Sequence, residues 1–182
     1  MRALSTLVGV ALSVGVTSSP AIAIASPATP HETAQIRLAQ QMLSITVPSA
    51  ANLGAAFTGT TLSGRLGAVT VEDHRIVNPN TWTATVSATS FRTGTGTPAQ
   101  TIPNSQVSYW SGPATKSTGG GTLIPGQLTA AQAQSLTVSR TAFRKTAGSG
   151  NNTVTWTPTL LVTIPSTAVL GLYTGTITHS VA

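Results

Sequence analysis

The sequence predicts an all-β domain, an antiparallel β-sandwich of immunoglobulin-like or Greek-key type. Three observations predict it. Apolar residues recur at every second position in one short run after another, the period of a half-buried strand rather than of a helix. The runs are separated by turn-forming residues, with 17 Gly and 11 Pro in 182 residues. Threonine is the surplus residue, at 33 positions. It is β-branched, so it suits a strand, and its hydroxyl wets an outer face without adding charge.

The N-terminus precedes that pattern and differs from it. Met1-Arg2 is a short positive start, Ala3 to Val16 is uncharged and mostly apolar, and Ala23-Ile24-Ala25 has the small-x-small form of a cleavage site. Residues 1–25 are therefore expected to be a secretory signal peptide. The apolar run is shorter than the roughly 20 residues a spanning helix needs. Residues 26–33 (SPATPHET) read as a flexible lead, and 34–182 as one domain. Ala34 to Ala39 alternates weakly, with Ile36 and Leu38 on one face and a turn at Gln40-Gln41, or else forms a short helix over Thr33 to Gln41. Leu43, Ile45 and Val47 alternate until Pro48. Val69, Val71, Asp73 and Arg75 share a face, and so do Trp82, Ala84, Val86 and Ala88, opposite a row of Thr and Ser. Gln106 to Trp110 is a strand after Pro103; Thr129 to Gln134 makes a helical turn before a strand over Leu136 to Thr141. Thr153 to Ile164 is a strand in which Pro158 implies an edge or a bulge. Tyr173, Ile177, His179 and Val181 share the inner face of a last strand. The Gly-rich segments Thr93–Thr97, Ser117–Thr122 and Ala147–Asn152 are expected to be mobile loops.

Composition excludes most chemistry. The chain has 9 Lys+Arg against 3 Asp+Glu, a formal charge of +6, and only 7% charged residues, against about 25% in ordinary domains. The acids are Glu32 and the neighbours Glu72 and Asp73, which supplies no separated carboxylate pair and no oxygen cage for a hard cation. There is no cysteine, and His31, His74 and His179 lack the spacing of a zinc site. No G-x-S-x-G elbow is present. An enzyme, a metal and a cofactor are accordingly not expected. The pI of 11.3 reflects missing acids rather than a dense basic stripe, so nucleic acid is not an expected partner.

Two segments resemble a known family. Val69-Thr-Val-Glu-Asp-His-Arg75 followed by Thr81-Trp-Thr-Ala-Thr-Val-Ser-Ala-Thr-Ser-Phe91 is similar to the proximal half of the WxL domain of secreted Gram-positive proteins. Tyr173-Thr-Gly-Thr-Ile177-Thr178-His179-Ser-Val181 resembles its distal motif, and Tyr109-Trp-Ser-Gly-Pro113 with Asn151-Asn-Thr-Val-Thr-Trp156 looks like a WxL-like branch of actinobacterial secreted proteins. Ala84 stands at the first motif's leucine; His179 and Val181 stand at the tryptophan and leucine of the second. The resemblance covers Leu43 to Ala182. It implies an all-β fold and a secreted, cell-wall-associated protein that binds peptidoglycan or another wall polymer non-covalently. The motif positions are Trp82, Tyr173, Ile177 and His179.

The candidate glycan contacts are Tyr109, Trp110, Trp82 and Trp156, since an aromatic face can stack on a sugar. Trp82 and Trp156 lie on the apolar faces of their own strands, which points to the core instead. Adjacent strand residues face opposite ways, so one of Tyr109 and Trp110 is expected outside. Asp73 and Arg75 on an apolar face suggest a buried structural network. Arg140, Arg144 and Lys145 form a basic cluster that could meet anionic wall polymer or be a solvated surface. His179 reads as a core or rim histidine. The expected function is non-enzymatic wall binding; the alternative is an assembly subunit that binds other surface proteins through sheet edges.

Overall fold

The structure, a computed structural model, describes residues 42–182. The expected signal peptide, the lead and the strand-or-helix segment at Thr33–Gln41 lie outside the described residues. Along the chain run β1 (Leu43–Thr46), β2 (Thr61–Arg65), β3 (Val69–Asp73), β4 (Trp82–Ala88), β5 (Phe91–Arg92), β6 (Thr101–Ile102) and β7 (Val107–Trp110). They are followed by β8 (Ala114–Thr118), β9 (Thr122–Pro125), β10 (Gln134–Ser135), β11 (Arg140–Ala147), β12 (Asn152–Trp156), β13 (Thr159–Thr163) and β14 (Ile177–Val181). A 3-10 turn at Ala130–Gln132, where Gln132 Oε1 accepts from the Leu128 and Thr129 N–H groups, matches the helical turn expected there; the connections at Pro98–Gln100 and Asn104–Gln106 are also 3-10 turns. No helix among the described residues is long and apolar enough to cross a membrane.

The strands form sheets ordered β1-β3-β12-β8, β10-β7-β13-β2 and β14-β4-β11-β9, plus the ribbon β5-β6, and every pairing is antiparallel. The all-β antiparallel architecture is the one the period-two pattern predicts. The first two sheets are built from the same three strand lines. β2 leads into β3 through Leu66–Ala68, β7 into β8 through Ser111–Pro113, and β12 into β13 through Thr157-Pro158. The breaks coincide, so the lines make one broad layer with a crease; across it the Leu66 N–H donates to the Pro158 carbonyl at 3.0 Å. Pro158 is thus neither on an edge nor in a bulge. It lies in a central line, at the interruption in the ladder where a missing N–H leaves no bond unmade.

Alternate side chains of the creased layer face those of the third sheet. Val69 and Val71 from β3, Val154 and Trp156 from β12, Tyr109 from β7 and Leu160 from β13 meet Trp82, Ala84 and Val86 from β4 and Phe143 from β11, all of them buried. The Trp156 and Phe143 rings stand 5.0 Å apart at 31°. Each such large side chain contributes about 1.5–3 kcal/mol on burial, which is the main source of stability in a chain without cysteine.

Three expectations change. The strand expected over Leu136–Thr141 is a turn after the two-residue β10; the long strand follows it as β11. The alternation there is hidden because a bulge between Thr141 and Phe143 turns both Ala142 and Phe143 inward. Two loops expected to be mobile pack against each other: a Cβ added at Gly119 would strike the Asn151 carbonyl, and one at Gly121 the Ala147 carbonyl. Both glycines also have positive φ, 81° and 122°, so neither position accepts a side chain. The last strand starts at Ile177, and Tyr173 stands before it, its one hydroxyl hydrogen shared between the carbonyls of Ala99 and Val169.

Candidate ligand-binding site

The four aromatic residues read as glycan contacts separate at once. Trp82, Trp156 and Tyr109 are buried, at 2%, 0% and 0% exposure, so their ring faces are occupied by protein and cannot stack on a sugar. Each also spends its polar atom inside. The Trp82 indole donates to Asn152 Oδ1 at 3.1 Å, and the Trp156 indole to the Tyr109 hydroxyl at 3.2 Å. Trp110 is half-buried; its indole N–H is sealed without a partner among the described residues, and only part of its ring remains for a ligand.

Asp73 and Arg75 do meet. The carboxylate at the end of β3 is fully buried and takes both prongs of the guanidinium, Nε to Oδ1 and Nη2 to Oδ2, each at 2.9 Å. The same Nη2 donates to the Thr81 carbonyl at 2.8 Å. Asn80, also buried, donates through Nδ2 to the carbonyls of Arg75 and Gly150 at 2.9 and 3.1 Å. Burial alone would raise the Asp73 carboxyl, but the hydrogen bonds and charge of Arg75 outweigh it and hold the group below the usual carboxylate range. Lys145 corrects an expectation. Alternation along β11 turns Arg144 outward and Lys145 inward, where it is 1% exposed and donates to the Asn80 carbonyl. Desolvation lowers its pKa, opposed by the nearby Asp73 charge. The surface cluster of Arg140, Arg144 and Lys145 therefore does not exist as such. Nothing in the local pattern marked Lys145 as buried, because a lysine on an alternating strand reads as solvent-facing.

The two family-like segments become neighbours. β14 pairs with β4 in the register Ile177↔Ala88, His179↔Val86 and Val181↔Ala84. Beside β14 opens a cleft of about 200 Å³ between the Val47–Ala51 segment and Gly175–His179, floored by Leu66, Val69 and Leu160. Its walls are mostly aliphatic, and His179 is the titratable side chain on them. The histidine is held from behind. The Trp156 indole can only donate, so the Tyr109 oxygen accepts from it, and the hydroxyl hydrogen finds an acceptor in His179 Nε2, 3.3 Å away, when that nitrogen is unprotonated. That arrangement leaves no buried hydroxyl hydrogen unpaired and places the imidazole proton on Nδ1. Burial pushes the His179 pKa down to about 4, so the ring is neutral at pH 7; burial also raises the Tyr109 phenol, against the pull of the Trp156 hydrogen bond. Among the described residues no cluster of His, Cys, Asp or Glu could hold a metal ion.

The histidine shift has a stability consequence with a definite sign. The folded pKa of about 4 lies below the unfolded value of about 6.5, so the unfolded chain binds the extra proton. The contribution is complete above about pH 6.5 and is lost as pH falls toward 4, for a total of about 3 kcal/mol. Denaturant titrations at pH 7 and pH 4.5 should differ by about 2 kcal/mol, and His179→Gln should flatten that difference. An unchanged slope in the variant assigns the titration to another group.

No protein-family model and no curated protein matches the chain.

Proposed function

We propose that the chain is an exported, non-enzymatic surface protein of the WxL type that binds peptidoglycan or another wall polymer non-covalently. The observation that carries this reading is the pairing of β4 with β14. Segments 95 residues apart in sequence, as Thr85 and Ser180, are brought to a hydroxyl–hydroxyl distance of 2.9 Å, and these are the segments that resemble the two halves of the WxL motif. The cleft lies along β14, the second of these segments. The carboxylates speak against turnover: Asp73 is sealed behind Arg75, and Glu72 faces outward beside His74. The N-terminal 25 residues, read as a signal peptide, support export.

Sedimentation with purified sacculi tests the reading. The protein should pellet with them in high salt, because apolar and hydrogen-bonding contacts persist when charge is screened. Trp110→Ala should weaken retention by about fivefold, the equivalent of about 1 kcal/mol for a partly exposed ring. Failure of the parent protein to pellet removes the wall reading.

The assembly reading is favoured by one feature. Natural sheet edges are blunted by charge, proline or brevity. β8 carries Lys116, β2 ends in Arg65, β9 ends in Pro125, β1 is followed by Pro48, and β10 has 2 residues. β14, Ile177-Thr-His-Ser-Val181, has none of these. Oligomers in solution with no sacculus binding would favour assembly.

A further inference from the structure

We propose that the cleft beside β14 holds a short extended peptide with small aliphatic side chains and a carboxylate end, the alanine-bearing peptide stem of the wall polymer rather than its glycan. The inference rests on the wall-binding reading and names the part of the polymer that the cleft takes.

The backbone of β14 supplies the first argument. Ala182 and Thr83 exchange both of their hydrogen bonds, and Thr89 N–H donates to the Thr176 carbonyl. By antiparallel alternation, Thr178 and Ser180 also face β4. The N–H and C=O groups of Ile177, His179 and Val181 therefore point away from β4, and no backbone partner meets them among the described residues. β1 runs nearby without pairing to them. Such a free row is a template for another extended main chain, and side chains at alternate positions of that chain turn toward the cleft.

The cleft walls say which side chains those are. Leu53, Leu66, Val69, Phe91, Leu160 and Ile177 present hydrocarbon. A cavity of about 200 Å³ falls below the ~300–1,000 Å³ of drug-sized pockets, so it suits a few small aliphatic side chains rather than a whole disaccharide. A sugar would also bring a hydroxyl on nearly every carbon, more than the polar side chains of the wall, Ser49, Thr176 and His179, can meet, at about 1–3 kcal/mol for each left unpaired.

The third argument is His179. Its Nε2 lies 3.3 Å from the Tyr109 hydroxyl, which already accepts from the Trp156 indole, and the tautomer that also pairs the hydroxyl hydrogen carries the imidazole proton on Nδ1. Nδ1 has no acceptor among the described residues and is not among the sealed unpaired atoms. His179 lines the cleft together with the hydroxyl side chains of Ser49 and Thr176, so the cleft offers a few hydrogen-bond donors on a mostly aliphatic wall, which suits an acceptor on the ligand. No carboxylate lines the cleft, Glu72 and Asp73 belong to β3 with Asp73 locked on Arg75, and the whole chain carries +6. An anionic end is accordingly complementary.

Amide-resolved NMR titration of the full chain decides it, with two probes: a synthetic stem peptide ending in alanyl-alanine, and the wall disaccharide without peptide. The peptide should shift the amides of Ile177, His179, Val181 and Val47, and the disaccharide should leave them in place. His179→Phe keeps the ring volume, removes the donor and should weaken the peptide about tenfold, or about 1.4 kcal/mol. Leu53→Trp fills the cleft from the opposite wall without touching the Trp156–Tyr109–His179 chain, and should abolish the shifts even if His179→Phe does not fold. Disaccharide shifts at the cleft overturn the proposal, as do peptide shifts that survive Leu53→Trp. Concentration-dependent shifts of the same amides with dimer formation overturn it in favour of a second copy of the chain. Sacculus pelleting with cleft amides unmoved by peptide overturns the cleft assignment and leaves wall binding standing. Peptide shifts without sacculus pelleting sustain the peptide site and remove the wall reading.

Discussion

Replacing Asp73 by alanine is expected to destabilise the domain by about 3–5 kcal/mol, the loss typical when one partner of a buried ion pair is removed. The size follows from what the carboxylate faces. It takes two hydrogen bonds from Arg75, is fully buried, and lies near enough to Lys145 to oppose the desolvation of that ammonium. Without it, a guanidinium and a 1%-exposed ammonium share one region with no counterion. Against a total stability of about 5–15 kcal/mol for a domain of this size, the loss brings the fold close to its threshold. Chemical denaturation measures it, with the exposed neighbour Glu72→Ala as a control expected to stay within about 0.5 kcal/mol. Asp73→Ala combined with Lys145→Met should lose less than the sum of the single changes, because the second change removes the stranded charge. A small loss for Asp73→Ala alone would show that the pair is loosely held. Loss of a catalytic activity with stability unchanged would overturn the structural reading.

Trp156→Ala is the second large effect, at about 3–5 kcal/mol for a fully buried indole. Two further interactions disappear with it: the stack on Phe143 at 5.0 Å and the hydrogen bond that orients the Tyr109 hydroxyl. The loss should appear as a lower denaturation midpoint together with a weaker near-ultraviolet circular dichroism signal. Trp110→Ala should cost much less because that ring is half-buried. If Trp156→Ala instead left stability intact and reduced only wall retention, the residue would be a ligand contact and its burial would have to open in solution.

What could be read from the chain before its structure was set by how regularly each strand is buried on one face. β4 was legible because Trp82, Ala84 and Val86 are buried and Thr83 between them is exposed. β8 was not, since all of Ala114–Thr118 is exposed and no alternation exists to be seen. β11 was hidden by its bulge; the β12–β13 line was legible as a strand, but Pro158 pointed to an edge or a bulge, and its place in a central line is explained only by the crease. Asp73 and Arg75 were legible as a pair because i and i+2 share a face of a strand. Lys145, Asn80 and Asn152 were not, since their burial depends on strands that come from distant parts of the chain. The cleft could not be seen at all: the Val47–Ala51 wall is irregular, and the groups that make β14 receptive are backbone atoms, which carry no sequence signal.

The crease gives the broad layer a mechanical property. Leu66 sits in the fold line and Val69 and Leu160 directly beside it, yet all of them also floor the cleft. Whatever changes the dihedral angle between the layer's two halves therefore changes the aperture. A bulkier residue at Leu66, or a Pro158 replacement that lets the central line straighten, would act as a tuning screw on how wide the groove stands, without altering a single group that lines its β14 side.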